Sequence, residues 1–221
     1  MNFGEAKISI ARTTGDHGDV DAREIAGDAL KAAIRDWNTE HNWEFKFRED
    51  PAYVAASGDT DLEVVGLKKV HTIRTVSPET VTLGFTRLRT LTWAVGDFTP
   101  TGTPSHYVVI ENATQNVIRV WPTPDSAYTY SIQYYEEIAE PSQDEDVIDV
   151  PTRFLNALLS LAKFHYLTDQ DTENPRLSVY ETLSSKLLKK AIRDDKKQPD
   201  ENEQMISRWE ASGGHPDEFG I

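Results

Sequence analysis

The chain has 221 residues, 38% of them hydrophobic and 10% aromatic, which is enough to fold around one large core or two small ones. It contains no cysteine, which excludes disulfides, thiolate metal sites and a cysteine nucleophile. Its 23 basic and 37 acidic residues give a formal net charge of −14, which argues against a role in gripping nucleic acid, because such affinity depends on cations that displace counterions from phosphates.

The N-terminal residues predict helices, and we assign 1–42 to the N-terminal part of a helical bundle. Residues 1–20 are ambiguous, because Phe3, Ala6 and Ile10 fit a helical period while Ala6, Ile8 and Ile10 fit a strand. We favour a short helix there. From 21 to 40 the apolar residues recur at steps of three and four, which predicts an amphipathic helix: Ala22, Ile25, Ala26, Ala29, Leu30, Ala33, Ile34 and Trp37.

Residues 43–137 are predicted to form an antiparallel β domain. Trp43, Phe45 and Phe47 alternate with polar residues, as in a strand with one buried face. The stretches 61–76 and 80–91 are rich in β-branched residues, whereas "LTWAVGDF" at 91–98 indicates a short helical turn.

The clearest strand signals of this domain are "SHYVVIE", "NVIRVW" and "AYTYSIQYY", separated by the turns "NATQ" and "PTPD". Because both connections are short, we predict a three-stranded antiparallel meander. In the last strand one face is apolar and predicted to be buried: Tyr128, Tyr130, Ile132 and Tyr134.

Residues 138–195 are predicted to be a linker, 140–151, and two helices that complete the bundle. The first helix, 151–169, is apolar on most sides and should lie centrally. The second, 173–195, has Asn174 as N-cap, Pro175 at its first position and Arg193 in its last turn. The predicted class is therefore α+β: a bundle of N- and C-terminal helices, an inserted antiparallel β domain, and an extended C-terminal arm at 196–221.

The sequence offers no reaction centre. No histidine pair has metal-binding spacing, and His165, on the apolar helix, is expected to be a core or interface residue. The calcium-like stretch from Asp169 lacks the glycine and the final glutamate of such loops. We predict no enzyme activity and no catalytic, metal or cofactor-binding residue. Carboxylate pairs are expected to be ordinary solvated acids: Asp59 with Asp61, and Asp144 with Asp146.

Membrane and secretion signals are not found in the sequence. The longest apolar runs are too short to span a bilayer, and the first residues have no basic and apolar signal-peptide pattern. We therefore expect a soluble, unsecreted protein without a membrane partner.

Several patterns, taken in order, resemble those of bacteriophage head-to-tail adaptor (connector) proteins, the family that includes tail tubular protein A-like adaptors. After the amphipathic helix comes "HNWEF", similar to the family's Trp-x-Phe, and later "GTPSHYVVI" with Gly102, Pro104 and Tyr107. "VIRVWPTPDSAYTYSIQYYE" resembles its strand, turn and tyrosine-bearing strand, and the two predicted C-terminal helices resemble its helix pair. The resemblance covers about residues 21–193. One departure is "YVAASGDTDLE", which replaces the Tyr-x-Leu-Pro-x-Asp stretch of the family.

This resemblance implies a virion structural protein of the neck, assembled in the host bacterial cytoplasm and functioning in genome ejection. Its partners would be the portal protein, tail or nozzle proteins, and copies of itself in a ring of twelve. DNA would pass through the lumen without specific binding, helped by an acidic wall that offers few cations. No cofactor is implied.

The C-terminal arm is the candidate site. Five apolar residues lie in a stretch otherwise made of Gly, Ser, Pro and acids, and the family's C-terminal extension commonly engages the portal. We expect a short helical anchor around "EQMISRWE", repeated around the ring, or alternatively a disordered tail. The predicted portal-binding residues are Met205, Ile206, Trp209, Phe219 and Ile221.

Two other functions compete with this one. A different neck or tail-completion protein would have other neighbours but a similar role. A carbohydrate-binding β module is suggested by the tyrosines of "AYTYSIQYY" and by Trp93 and Trp121, because aromatic faces stack on sugars. Sheet packing explains the alternating tyrosines more simply.

Overall fold

Helices and strands lie in separate parts of the chain in the computed structural model, and their presence together confirms the α+β class. The chain divides into two compact units. The helical unit consists of Met1–Phe45 and Glu140–Ile221, and the sheet unit is Lys46–Ala139. The structure describes residues 1–13, 15, 18–86, 100–111, 115–170 and 173–211, with side chains up to 196.

The helical unit begins with α1, Phe3–Ala11, and α2, Val20–Glu40, as predicted. α1 starts with a capping box, in which the Asn2 side chain accepts a hydrogen bond from the Glu5 backbone N–H and the Glu5 side chain accepts one from the Asn2 backbone N–H. The predicted apolar stripe of α2 is largely buried: Ala22, Ala26, Ala29, Leu30, Ala33, Ile34 and Trp37.

The segment after α2 differs from the prediction. Glu44–Lys46 form a 3₁₀ turn, and the first strand begins only at Phe47. Trp43 folds back on Trp37, with ring centroids 4.5 Å apart, and donates a hydrogen bond to the Trp37 carbonyl at 3.0 Å. The predicted strand start at Trp43 is wrong, because this indole packs on the helix before it instead of alternating along a sheet.

The C-terminal part of the helical unit contains α3, Thr152–Gln170. α3 contacts α1, α2 and the last helix, so it has neighbours on several sides, as its apolar surface predicted. His165 lies 2.8 Å from the Asp36 carboxylate of α2, which makes it the interface residue that the sequence suggested. The buried residues of α3 are Phe154, Ala157, Leu158, Leu159, Ser160, Ala162, Tyr166 and Leu167.

The last helix, α4, spans Leu177–Ala211 and is longer than predicted. The Asn174 side chain accepts from Arg176 N at 3.0 Å, a cap close to the predicted position. The predicted end at residue 195 is wrong. Residues 194–211 are rich in good helix formers such as Glu, Gln, Lys and Met, and a glycine pair follows only at 213–214. The helix runs through Pro199 although this residue cannot donate a backbone hydrogen bond. Residues 196–211 of the predicted arm are thus helical, not extended.

The sheet unit contains two larger sheets and one small one within the described residues. Their strand orders are β1-β9-β3, β2-β7-β6-β4 and β5-β8. The strands are β1 Phe47–Ala55, β2 Asp61–Glu63, β3 Leu67–Ser77, β4 Gly84–Phe85, β5 Thr101–Gly102, β6 His106–Glu111, β7 Asn116–Trp121, β8 Thr123–Pro124 and β9 Tyr128–Glu136.

The predicted meander is wrong in its third strand. β6 and β7 form an antiparallel pair, but β9 lies in the other sheet, antiparallel to β1 and β3. β9 has 9 residues and finds partners of 9 and 11 residues there, whereas β7 has only 6. Long partners on both edges satisfy more backbone groups of β9 than a hairpin with β7 could. Two pairs, β4 with β6 and β5 with β8, are parallel, so the unit is mixed rather than purely antiparallel.

The predicted buried face of β9 is confirmed. Tyr128, Tyr130 and Ile132 are at most 2% exposed, and Tyr134 packs against the same core. Other core residues come from both larger sheets: Leu62, Val70, Ile73, Ile118 and Val120. The predicted helical turn at 91–98 lies outside the described residues, as do three residues of the predicted "NATQ" turn.

Candidate docking segment

The predicted portal-binding residues fall partly within α4. Met205, Ile206 and Trp209 occupy positions of the helical backbone, whereas Phe219 and Ile221 lie outside the described residues. Positions one, three and four residues apart lie on one side of a helix. The helix therefore groups three of the five predicted positions on one side.

Asp195 fixes the middle of α4 within the helical unit. Its side chain is 0% exposed, and one carboxylate oxygen, Oδ2, accepts a hydrogen bond from Glu44 N at 2.9 Å. The same oxygen lies 3.0 Å from His41 Nε2. A His41 ring with its proton on Nε2 donates to this oxygen. α4 is thereby joined to the residues that directly follow α2.

Aromatic side chains hold His41, the partner of Asp195, in place. The ring of His41 contacts the Trp43 ring edge-on, with centroids 4.9 Å apart. Trp43 in turn stacks on Trp37 and lies 5.6 Å from the ring of Phe154 on α3. Trp43 is thus packed from several directions and holds His41 next to the Asp195 carboxylate.

Sequence reasoning missed Asp195, although a signal existed. Asp195 stands four residues after Ala191, on the stripe of α4 that faces the other helices, where an apolar residue is expected. Its second carboxylate oxygen, Oδ1, has no hydrogen-bond partner in the described part of the chain. A buried carboxylate is costly without partners, so the contacts of Oδ2 must offset that cost.

The acids predicted to be ordinary solvated groups have structural partners instead. Asp61 accepts two hydrogen bonds from Arg119, at 2.6 and 2.7 Å, and this pairing lowers the pKa of Asp61. Backbone N–H groups of Gln143 and Ser142 donate to Asp146 and lower its pKa. Asp144 forms an ion pair with Lys7 of α1. These carboxylates hold loops and strands in place.

The described residues contain few features suited to small-molecule chemistry. No group of three or more His, Asp or Glu side chains within them could hold a metal ion. An open depression of about 530 Å³ is lined by Phe45 and residues 147–151, with Val147 74% exposed. Tyr128 and Tyr130 are buried, so they provide no exposed face for a sugar. Among the described helices none is long and apolar enough to cross a bilayer.

Comparison with known families identifies the chain. Its sequence matches the family described as SU10 adaptor protein over residues 1–208. A search of curated proteins finds no significant match. The matched region contains the whole sheet unit and the helical unit up to residue 208, so it reaches Met205 and Ile206 but stops one residue before Trp209. Because the match spans most of the chain, this protein belongs to the SU10 adaptor protein family of phage head-to-tail adaptors, structural proteins of the virion.

Proposed function

We propose that copies of this chain, twelve in number, form a ring beneath the portal and join the capsid to the tail, and that the C-terminal segment of α4 docks on the portal. The observation that carries the proposal is the continuation of α4 as a backbone helix from 196 to 211, directly after the buried Asp195. The membership in a phage adaptor family supports it.

The part of α4 that follows Asp195 is several helical turns long. Sixteen helical residues extend about 24 Å, at about 1.5 Å per residue. Because Asp195 is anchored to Glu44 N and lies against His41, the helix leaves each copy from a defined point. A ring would present one such helix from every copy at an equivalent place.

The apolar positions on this helix provide the binding energy. Burying Met205, Ile206 and Trp209 against a partner contributes about 1.5–3 kcal/mol for each side chain. A segment that is already helical has less backbone entropy to lose on binding than an extended arm, which would lose about 1–2 kcal/mol per residue. Repetition around the ring strengthens the joint further.

The net charge of the chain supports the proposed passage of DNA through the ring. Twelve copies with a formal net charge of −14 each concentrate negative charge around the lumen. A wall with few free cations gives the phosphate backbone little to bind, so DNA slides without being held. Assembly on the portal in the host cytoplasm, with tail proteins below, completes the proposed role.

Removal of residues 199–221 tests the docking segment. We expect this truncated chain, which keeps Asp195, to stay folded and to lose at least about tenfold in affinity for the portal. A full-length chain carrying Met205→Ala, Ile206→Ala and Trp209→Ala should lose affinity as well. The matched control carries Glu203→Ala and Ser207→Ala, on the other side of the same helical segment, and should bind normally.

The outcome separates the proposal from its rival. Unchanged portal binding by the truncated chain would show that the segment is not the docking element. Binding to a tail protein without any binding to the portal would instead identify a tail-completion protein. Binding is measured by surface plasmon resonance, and ring formation by electron microscopy of the mixture with the portal.

A further inference from the structure

The outward side of α4 carries exposed apolar and basic residues together. Val179 is 61% exposed and Leu183 39% exposed, and Lys186 and Lys190 are also exposed. They follow one another at steps of four, three and four, so they lie along one face, away from the buried residues of this helix. We call this set the α4 stripe: Val179, Leu183, Lys186 and Lys190.

The lysines of the α4 stripe are not neutralised by their own subunit. Within the described residues, neither Lys186 nor Lys190 takes part in an ion pair. In a chain with an excess of 14 acidic charges, such a basic surface beside exposed apolar side chains is unusual. It fits a partner that is both acidic and partly apolar.

The start of α2 has the complementary composition. Val20 is 63% exposed, and Glu24 and Asp28 are exposed at successive steps of four. These three residues, the α2 patch, begin with an apolar residue and continue with acids. The α4 stripe begins with apolar residues and continues with cations, so the two surfaces match when the helices run in the same direction.

The direction of the two helices within one subunit follows from contacts at their ends. Arg176, just before α4, donates to the carbonyl of Thr13, which precedes α2, at 3.0 Å. Asp195, further along α4, contacts His41, directly after α2. α2 and α4 therefore run in the same direction, and both pack against α3.

Ring symmetry relates the helix directions of neighbouring copies. Neighbours in a closed ring are related by a rotation about one axis, about 30° for twelve copies. This rotation adds at most about 30° to the angle between α2 and α4 within one copy, so α4 of one copy and α2 of the next still run in the same direction. With Leu183 opposite Val20, the positions of Lys186 and Glu24 face each other, as do those of Lys190 and Asp28. An antiparallel pairing is incompatible with such a rotation.

We propose that the α4 stripe of one copy docks on the α2 patch of the neighbouring copy, and that this contact closes the ring. The inference rests on the proposed ring and names the surfaces that build it. The contact is heterologous, with two different surfaces meeting, as ring closure requires. It also offsets the repulsion between acidic subunits at the place where they meet. Duplex DNA is a poorer occupant, because a phosphate backbone offers no apolar partner to Val179 and Leu183.

Charge reversal tests the contact in the full-length chain. A chain with Lys186→Glu and Lys190→Glu, or one with Glu24→Lys and Asp28→Lys, places like charges opposite each other and should assemble about 100-fold less well, with or without the portal. An equal mixture of these two chains restores opposite charges at every contact and should form rings again. Rings are counted by electron microscopy and by mass photometry, and far-UV circular dichroism verifies folding.

A matched control separates the contact from net charge. Lys189→Glu with Lys196→Glu changes the formal charge by the same amount on exposed positions of α4 outside the stripe, and should leave ring formation unchanged. If this control lost ring formation to the same extent, or if the mixture of the two charge-reversed chains formed no rings, the proposed contact would be overturned. Lysine reversals that weaken DNA binding but leave the rings intact would overturn it also, and would assign the stripe to DNA.

Disulfide trapping gives an independent measurement, since the chain has no cysteine of its own. A chain with Val20→Cys and a chain with Leu183→Cys should form a covalent dimer on oxidation only when they are mixed and assembled. Rings without this dimer would show that other surfaces meet, which refutes the contact but not the ring. A wild-type chain that forms no ring, even on the portal, would refute both.

Discussion

In the helical unit, polar side chains join segments far apart in the sequence, whereas the sheet unit joins its strands through backbone ladders and an apolar core. Arg35 and Glu140, 105 residues apart, form two hydrogen bonds at 2.6 and 2.8 Å. His41 and Asp195 are 154 residues apart. The sheet unit has polar pairs too. Asp61 and Arg119 are 58 residues apart and lie at the surface, as Arg35 and Glu140 do, and the nearly buried Lys46 lies 3.0 Å from Glu136. Most of its strand contacts, however, are backbone hydrogen bonds.

The difference reflects how each element specifies its neighbours. Paired strands exchange backbone hydrogen bonds along their length, and their register is set by which face is buried and by the connecting turns. Helices satisfy their backbone groups internally, and apolar contact is non-directional, so other groups must select the position of one helix against the next. Because the helical unit is built from both ends of the chain, directional polar pairs such as Asp195 with His41 and Glu44 N make that selection.

The largest effect is expected in the core of the sheet unit. Ile132→Ala removes a 0% exposed side chain from the central strand β9 and should lower the free energy of unfolding by about 2–5 kcal/mol, because a cavity remains. Val54→Ala, at a 70% exposed position on β1, should change it by no more than about 0.5 kcal/mol. Urea titration followed by circular dichroism measures both. A smaller loss of stability for Ile132→Ala than for the Asp195 and Asp61 variants described below would contradict the contrast between the two units.

An intermediate effect is expected at the anchor of α4. Asp195→Ala removes the buried carboxylate that accepts from Glu44 N and should lower the free energy of unfolding by about 1–3 kcal/mol. Asp195→Asn keeps one carbonyl oxygen as an acceptor and should lose less. The neighbouring Asp194→Ala is the control and should stay within about 0.5 kcal/mol of wild type. Equal stability of all three variants in urea titrations would show that polar selection is not needed in the helical unit.

The smallest effect is expected at the surface pair of the sheet unit. The hydrogen bonds from Arg119 hold the pKa of Asp61 below its ordinary value of 3.8. A carboxylate with a lowered pKa stabilises the folded state above its ordinary pKa, and this contribution is lost as the pH falls through the lower, folded-state pKa. Asp61→Asn should therefore cost at most about 1 kcal/mol at pH 7 and nothing at a pH well below 3.8. Unfolding titrations at several pH values measure this; a pH-independent cost would contradict it.

Local patterns predicted the helices well and the chain path less well. The stripe of α2, the apolar surface of α3 and the buried face of β9 were legible because each depends on residues close together in sequence. The partners of β9 could not be predicted in this way. The short connection suggested β7, whereas β9 pairs with the longer strands β1 and β3. Trp43 similarly fits a strand pattern in the sequence, but in the structure it packs on Trp37 of α2.

The candidate site shows the same division. The apolar composition of the last residues indicated a docking segment, but not that residues 196–211 continue α4. Asp195 and His41 gave no recognisable motif, because their contact exists only after the two ends of the chain have come together. The opposite charges of the α2 patch and the α4 stripe are present in the sequence, yet their common direction follows only from contacts at the helix ends.

The sequence by itself determined the acidic charge, the α+β class, the periodicity of the helices and the order of motifs that resembles phage adaptors. Those properties depend on composition and on neighbours within a few residues. Tertiary structure alone decided which strands pair with β9, where α4 is anchored and which faces remain exposed for other subunits. These depend on contacts between groups from 52 to 154 residues apart. No local period exists over such separations, and the final arrangement depends on which distant groups satisfy one another best.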